Sequence, residues 1–384
     1  MKKSFCLMAA GALLAACNST PGYKISGTVG NPGLNGEYVY LYEYGIPNGM
    51  PMDSAMVQNG SFTMKGTQNN PELCVITFSD DVISQREKNK YAANRMMGPV
   101  DNDIFTAVLV LDNSDISVKL DTFSVVSGTP ENDSLQVLIN DMEGYNQQAS
   151  PIAVQMRNFN NLGQEDRNKL QQWYGKYVKD RVERAKDYVE RNAHKLSGAY
   201  VFGQYASFMD GSFQEKVLNN ADSTFRSVPG IDRIEKQVAV MKKVAVGQKF
   251  ADFSMINQDG NTVKLSDYAG KGKYVLLDFW ASWCGPCIKE IPEIVNLYNK
   301  YKNKNFEIVG VSLDENKEAW LKAIIQYNMK WPQLSDLKGW NNEAALLYGV
   351  TSIPYTVLIA PDGVIIDKNL RGDSLSKTLQ KLIK

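Results

Sequence analysis

The sequence predicts a multi-domain chain: an N-terminal β-sandwich, a central α-helical connector and a C-terminal α/β domain. Three observations carry that reading. Short alternating apolar runs broken by turn residues fill Tyr23 to about Ser127. Apolar residues at helical spacing follow from about Pro130 to Lys243. From Val246 onward, strands alternate with helices, and one strand-to-helix junction holds the run Trp280-Ala-Ser-Trp283-Cys284-Gly285-Pro286-Cys287. A length of 384 residues accommodates two or three domains at roughly 100–200 residues each. The 42 basic side chains balance 42 acidic ones, so no whole-chain field favours nucleic acid.

The first residues are of another kind. Lys2 and Lys3 precede an apolar run from Phe5 to Ala16 that is too short to span a bilayer, the plan of a secretory signal peptide over residues 1–16. It ends Leu14-Ala15-Ala16-Cys17, which resembles the lipobox of bacterial lipoproteins. That resemblance implies cleavage before Cys17 and acylation of its thiol and new amino group. Residues 17–22 then form a lipidated tether. Each buried methylene adds roughly 0.8 kcal/mol of membrane affinity, so several acyl chains anchor durably. The expected mature protein is a soluble body facing the periplasm of a Gram-negative envelope, anchored to the membrane through Cys17; an ordinary signal peptide with a chance cysteine is the alternative. No later run approaches the ~20 apolar residues of a transmembrane helix.

Of five cysteines, Cys6 goes with the signal and Cys17 to lipid, leaving Cys74, Cys284 and Cys287. One pair and one odd thiol do not make a disulfide scaffold. Cys74 lies in the strand-like run Leu73-Cys-Val-Ile-Thr-Phe and reads as a small buried hydrophobe.

In the sandwich, residues 23–128, the alternating runs are Lys24-Ile-Ser-Gly-Thr-Val, Glu37 to Tyr44, Asp53 to Gln58 and Ser61 to Lys65, then Val75–Phe78, Ala107–Leu111, Ile116–Leu120 and Phe123–Val126. Asn59-Gly60 is a hairpin signal because both turn positions need positive φ. Asp80 to Asp103 interrupts the series as a loop or short helix. The stretches Ile25-Ser-Gly-Thr-Val and Asp53-Ser-(x)5-Gly60-Ser-Phe resemble the β-rich domain of unknown function that precedes thioredoxin-like domains in many Gram-negative lipoproteins. That family has no assigned chemistry.

Residues 129–244 form the helical region. Between Gln164 and Leu196, the residues Leu170, Trp173, Tyr174, Tyr177, Val178, Val182, Ala185, Tyr188 and Val189 recur at helical spacing among charged ones, giving one buried stripe and one wet face. Ala199 to Met209 and Asp232 to Val244 read as further helices. The single histidine, His194, reads as a helix-end residue without a partner, so a His-based metal site or a Ser-His-Asp triad is excluded.

Residues 245–384 open with a hairpin around Asp259-Gly260, then a buried strand (Tyr274–Trp280), the helix carrying the cysteines and a second strand at Phe306. Helices at Lys317–Tyr327 and Glu343–Tyr348 flank a short Trp331-Pro-Gln-Leu run. A closing hairpin turns across Pro361-Asp-Gly363 before a last helix from Ser374.

Four features now converge: Trp283-Cys284-Gly285-Pro286-Cys287; Asp278, six residues before the first cysteine; Pro292, eight after it; and Ile353-Pro354 before the closing hairpin. In this order and spacing the domain resembles the thioredoxin-like TlpA/ResA group of periplasm-facing thiol-disulfide oxidoreductases. At a helix N-terminus, free N–H groups and the macrodipole favour an anion, so Cys284 is expected to attack as a thiolate and Cys287, one turn deeper, to resolve the mixed disulfide. Asp278 on an apolar strand is costly unless functional, and burial suits it to take the proton of Cys287. Glu290 lies one turn beyond Cys287 on the same helix face, and the resemblance implies a functional glutamate there. By the same resemblance, Pro354 matches a cis-proline and Ile353 binds an extended substrate through its backbone. Trp283, Gly285 and Pro286 then form the substrate-facing rim. No cofactor or metal beyond the Cys284/Cys287 couple is expected. The expected partners are a disulfide-bearing protein substrate and a membrane electron donor, with apocytochrome cysteines among the candidate clients.

Two rival readings compete with this one. A peroxiredoxin pocket uses P-x-x-x-T-x-x-C, and this chain has Leu277 and Ala281 at the Pro and Thr positions. A lipoprotein whose dithiol only senses redox state, with front domains that bind a ligand, is the other. The Gly-Pro dipeptide resembles thioredoxin, at about −270 mV, rather than strong oxidants near about −120 mV, which predicts a reductant.

Overall fold

A computed structural model describes residues 22–46, 49–84, 87–88, 100–101 and 103–383. The expectations for the signal peptide and for Cys17 lie outside these residues, as does most of the Asp80–Asp103 insertion. The described chain forms two compact units, one ending at Asp232 and one beginning at Arg233. Among the described residues, no helix is long and apolar enough to cross a membrane.

Among the described residues, the first unit holds eight strands: β1 (Tyr23–Val29), β2 (Tyr38–Glu43), β3 (Asp53–Met56), β4 (Ser61–Gly66), β5 (Glu72–Phe78), β6 (Ala107–Leu111), β7 (Asp115–Leu120) and β8 (Val125–Ser127). They form two four-stranded sheets, ordered β4-β1-β7-β8 and β3-β2-β5-β6. Inward residues of both sheets, among them Ile25, Val118, Leu41 and Ile76, share one core, so the sandwich is observed. Asn59 and Gly60 both take positive φ, 51° and 72°, as the turn requires. The hairpin reading holds only locally. A single bridge, Gln58 to Ser61, closes the turn, and the flanking strands then part into different sheets. Gly27 of β1 pairs with Phe62 of β4, and a Cβ at Gly27 would run into that ring. The two stretches singled out in the sequence are therefore cross-strand partners, with glycine making room for the aromatic.

Among the described residues, five longer helical elements follow in this unit: α1 (Pro130–Arg157), α2 (Gln164–Arg191), α3 (Leu196–Tyr205), α4 (Gly211–Asn220) and α5 (Ser223–Ser227). Thr129 caps α1 by accepting from the Asn132 N–H at 3.3 Å. Asn132 then bonds both backbone groups of Val110 at 2.8 Å, and the Gln136 side chain accepts from Val126 N–H at 2.8 Å. β6 and β8 are sheet edges, and α1 satisfies their otherwise open backbone groups. The long helix expected from Gln164 to Leu196 ends at Arg191, and Leu196 opens α3 instead. Its stripe is buried at Leu170, Tyr177, Val182, Ala185, Tyr188 and Val189, whereas Tyr174 is exposed. Arg181, on the same helix, is buried against Asp101, Asn146 and Tyr205. His194 is not without a partner: its Nδ1 lies 3.6 Å from Asp222.

The second unit holds α6 (Ile231–Lys243), which begins at its boundary, then β9 (Ser254–Asn257), β10 (Thr262–Lys264), β11 (Tyr274–Trp280), α7 (Gly285–Tyr301), β12 (Phe306–Ser312), α8 (Lys317–Gln326), β13 (Gln333–Ser335), α9 (Glu343–Leu347), β14 (Tyr355–Ile359), β15 (Ile365–Lys368) and α10 (Gly372–Leu382). The strands form one mixed seven-stranded sheet, β10-β9-β13-β12-β11-β14-β15. β11 pairs parallel to β12 and antiparallel to β14, and every residue from Val275 to Trp280 is buried. A strand in that position needs a near-continuous apolar run, which is what Tyr274–Trp280 supplies apart from Asp278.

Candidate active site

Strand β11 ends on a short loop whose shape is fixed from below. The buried Asp314 carboxylate accepts from Ser282 N–H at 2.9 Å, from the Ser282 hydroxyl at 2.5 Å and from the Ser312 hydroxyl at 2.7 Å. Trp280 donates from Nε1 to Gln333 at 2.9 Å, which locks the strand end. Cys284 then sits at the N-cap of α7, with its sulfur 3.2 Å from the Cys287 N–H, a sulfur site on the positive end of the helix. Pro286 occupies the first turn, where its missing N–H has no partner to lose. Cys284 and Cys287 are joined by a disulfide. Both sulfur residues are buried in this oxidised form, at 5% and 2% exposure, while Gly285, Pro286 and Trp283 face solvent. Little of the expected difference in access between the two cysteines is visible while they are bonded.

Asp278 lies mid-strand, between Gly310 of β12 and Thr356 of β14, and is 2% exposed. Burial pushes its carboxyl from 3.8 up to about 7; the Glu290 carboxylate adds to the rise and the Arg371 guanidinium opposes it. Glu290, on α7, is half-buried and likewise raised, first by burial and then by Glu293, with Arg371 again opposing. Arg371 Nη1 stands 3.9 Å from Glu290 Oε1. Two carboxyl groups and one guanidinium therefore act on one another here. Sequence reasoning named the carboxyls and missed the arginine, 81 positions beyond Glu290 and in no motif.

Pro354 is buried and the Ile353–Pro354 bond is cis. Phe279 pairs with Tyr355, so the residues next in line are Trp280, which leads into the cysteine loop, and Pro354. The register thus brings the Ile353-Pro354 segment alongside the strand end that presents the dithiol. Two exposed rings stand together at the motif. Trp283 (56% exposed) and Trp340 (46% exposed) have centroids 6.3 Å apart, and Trp340 is a second residue the sequence reading missed. It lies on the 3₁₀ turn Gly339–Asn341, more than fifty positions from Trp283.

Comparison with known proteins fits this geometry. The AhpC/TSA family model matches residues 246–368, and the model of the domain of unknown function DUF4369 matches residues 23–135. The thiol-disulfide oxidoreductase ResA of Bacillus thuringiensis subsp. konkukian is 35% identical over 143 residues, covering 37% of this chain and 79% of the relative. The chain belongs to the ResA-like thiol-disulfide oxidoreductases. ResA of Bacillus subtilis is 33% identical over 125 residues, covering 33% of this chain and 67% of its own. Among solved structures, the thioredoxin domain of a thiol-disulfide oxidoreductase from Bacteroides vulgatus is 38% identical and covers 36% of this chain and 99% of its own, with a TM-score of 0.34. The ResA-like part is the second unit, a thioredoxin-like α/β domain, and the DUF4369 match takes in the sandwich as well as Asn132, which seals its β6 edge.

Proposed function

We propose that the chain is a membrane-tethered, periplasm-facing reductant of protein disulfides, with Cys284 as nucleophile, Cys287 as resolving thiol and Asp278 as the base that takes the Cys287 proton. The observation that carries this reading is a disulfide-bonded cysteine pair at a helix N-terminus within the same domain as a buried carboxyl raised to about 7. The Cys284 thiolate attacks a client disulfide, one client sulfur leaves as thiolate, and a mixed disulfide forms. Asp278 then accepts the Cys287 proton, and the Cys287 thiolate attacks Cys284 Sγ. The Cys284–client bond breaks, the second client thiolate leaves, and two electrons have moved to the client. A membrane electron donor restores the dithiol. Trp283, Gly285, Pro286 and the Ile353-Pro354 segment bind an extended client segment, with Glu290 supporting the proton transfer. Cys17 supplies the lipid anchor, and clients of the apocytochrome kind fit a reducing site in the cell envelope. A peroxide reductase is disfavoured by Leu277 and Ala281 where that pocket needs Pro and Thr.

Reduction of insulin by dithiothreitol, with and without the soluble protein, tests the activity; no acceleration overturns it. A Cys284/Cys287 potential above about −180 mV would reverse the direction. A Cys287→Ser variant is expected to retain clients on Cys284 as reducible adducts.

A further inference from the structure

We propose that Arg371 is a positioning residue of the redox site: its guanidinium, 3.9 Å from Glu290, holds that carboxylate charged, so that Asp278 is the group that carries the proton. The inference rests on the reading of Asp278 as proton acceptor and adds what makes the two carboxyls unequal. Two carboxyl groups that feel each other's charge do not ionise independently, because each charge opposes the other. A cation nearer one of them breaks the tie, and environments that push two titrating groups apart assign acid and base roles.

Three features of Arg371 suit it to that task. It directly precedes α10, and its backbone is fixed by a reciprocal cap: its N–H donates to Ser374 Oγ at 3.0 Å, and the Ser374 hydroxyl donates to its carbonyl at 2.7 Å. Gly372, next in line, takes positive φ of 48°, which turns the chain into the helix at a position that disfavours a Cβ. The Arg371 Nε is buried with no hydrogen-bond partner, and Nη1 meets Glu290 at 3.9 Å, an ion-pair rather than a hydrogen-bond distance. The ion pair with Glu290 is open on one side, the two side chains being 39% and 30% exposed.

The charges acting at this place come from each packed element. Asp278 on β11 meets Glu290 from α7 and Arg371 from the turn before α10. Its neighbours in the sheet, Gly310 of β12 and Thr356 of β14, are uncharged. Glu290 meets Arg371 and, along its own helix, Glu293. Removing the only cation among these groups leaves burial and like charge unopposed, so both carboxyls move upward and Asp278 stays protonated to higher pH.

The test is a ¹³C-carboxyl titration of Asp278 in the oxidised protein, paired with pH profiles of insulin reduction. In Arg371→Met the Asp278 midpoint is expected to rise by on the order of one pH unit. The acidic limb of turnover should rise with it, lowering activity about 3- to 10-fold near pH 6.5 and converging on wild type above pH 8.5. Arg371→Lys should restore both, and the Glu290→Gln, Arg371→Met double variant should return the midpoint close to wild type, because one charge of each sign is removed. An unmoved Asp278 midpoint in Arg371→Met, or no restoration by lysine, overturns the proposal. If Arg371→Met does not fold, Arg371→Gln and Glu290→Gln carry the comparison, with opposite shifts expected and equal ones refuting it. A wild-type protein that does not reduce insulin would sink the functional reading alone, since the carboxyl titration still decides the part played by Arg371.

Discussion

Asp278→Asn should stabilise the protein at neutral pH while disabling it. A rise of the Asp278 carboxyl from 3.8 to about 7 is about 3 units, or ~4 kcal/mol at about 1.36 kcal/mol per unit. Between those two values the folded state keeps a proton that the unfolded chain has released, so stability falls as pH rises through this window. It is level below the lower value, where both states hold the proton, and again above the upper one. Asparagine has no such window. The stability of Asp278→Asn minus that of wild type should therefore climb by ~4 kcal/mol between about pH 3.5 and pH 8. A buried amide left without partners lowers the variant by about 1–3 kcal/mol at every pH, and this constant drops out of the slope. Against a total stability of about 5–15 kcal/mol the change is large. Urea unfolding with the Cys284–Cys287 disulfide intact keeps thiol titration out of the result. Tryptophan fluorescence reports mainly the second unit, which holds five of the six tryptophans. Insulin reduction near neutral pH should fall about 10²- to 10⁴-fold, the usual contribution of a general base. A stability difference that stays level with pH would refute the assignment of the raised carboxyl to Asp278.

Arg181→Met should destabilise the first unit by about 3–5 kcal/mol, because Asp101 is left buried beside it without its cation; a loss below about 1 kcal/mol by circular dichroism in urea would contradict this. Cys74, buried and with its thiol pushed by burial up to about 12, should resist alkylation in the native protein at pH 8 and react only on unfolding. Trp283→Ala and Trp340→Ala should each lower kcat/KM toward insulin about 10-fold, an exposed ring of an interface anchor being worth roughly that much, and leave a small disulfide within about twofold; equal losses on both substrates would remove the tryptophans from client binding.

What was legible in the sequence was local. Asn59-Gly60 announces its turn because only certain residues take positive φ twice in succession, and it does so here. The partners of β3 and β4 were not legible, because a strand joins whichever sheet buries its apolar face: β3 pairs with β2 just before it, whereas β4 pairs with β1 at the start of the domain. Arg181 sits in a run of charged residues that reads as a wet helix face. Its burial follows from Asp101, Asn146 and Tyr205 arriving from three other segments. In the redox site, Cys284, Cys287 and Asp278 stand at fixed offsets around one strand and one helix, and Pro354 was placed by resemblance. Asp314, Trp340 and Arg371 reach the site only through the order of the sheet. A carboxylate under a loop, a ring on a 3₁₀ turn and an arginine before the last helix have no spacing rule.

The contrast between Cys74 and Cys284 explains why one thiol site is chemical and the other is packing. Both are buried, at 0% and 5% exposure, and both belong to an apolar core. Cys74 lies mid-strand on β5, where the N–H groups are committed to the ladders with β2 and β6, and the nearest charges, Glu72 and Glu43, oppose a thiolate. Burial without compensation makes a sulfur inert. Cys284 lies at a helix start, where N–H groups have no partner within the helix and one points at its sulfur. The same loss of water that silences Cys74 strengthens the attraction between that helix end and a thiolate, since fewer solvent dipoles screen it. Burial at the second site also raises Asp278 into the range where it can exchange a proton near neutral pH. Desolvation is common to both sites; an N–H directed at the sulfur, and a carboxyl in the same domain raised toward neutral pH rather than opposing the thiolate, distinguish the second.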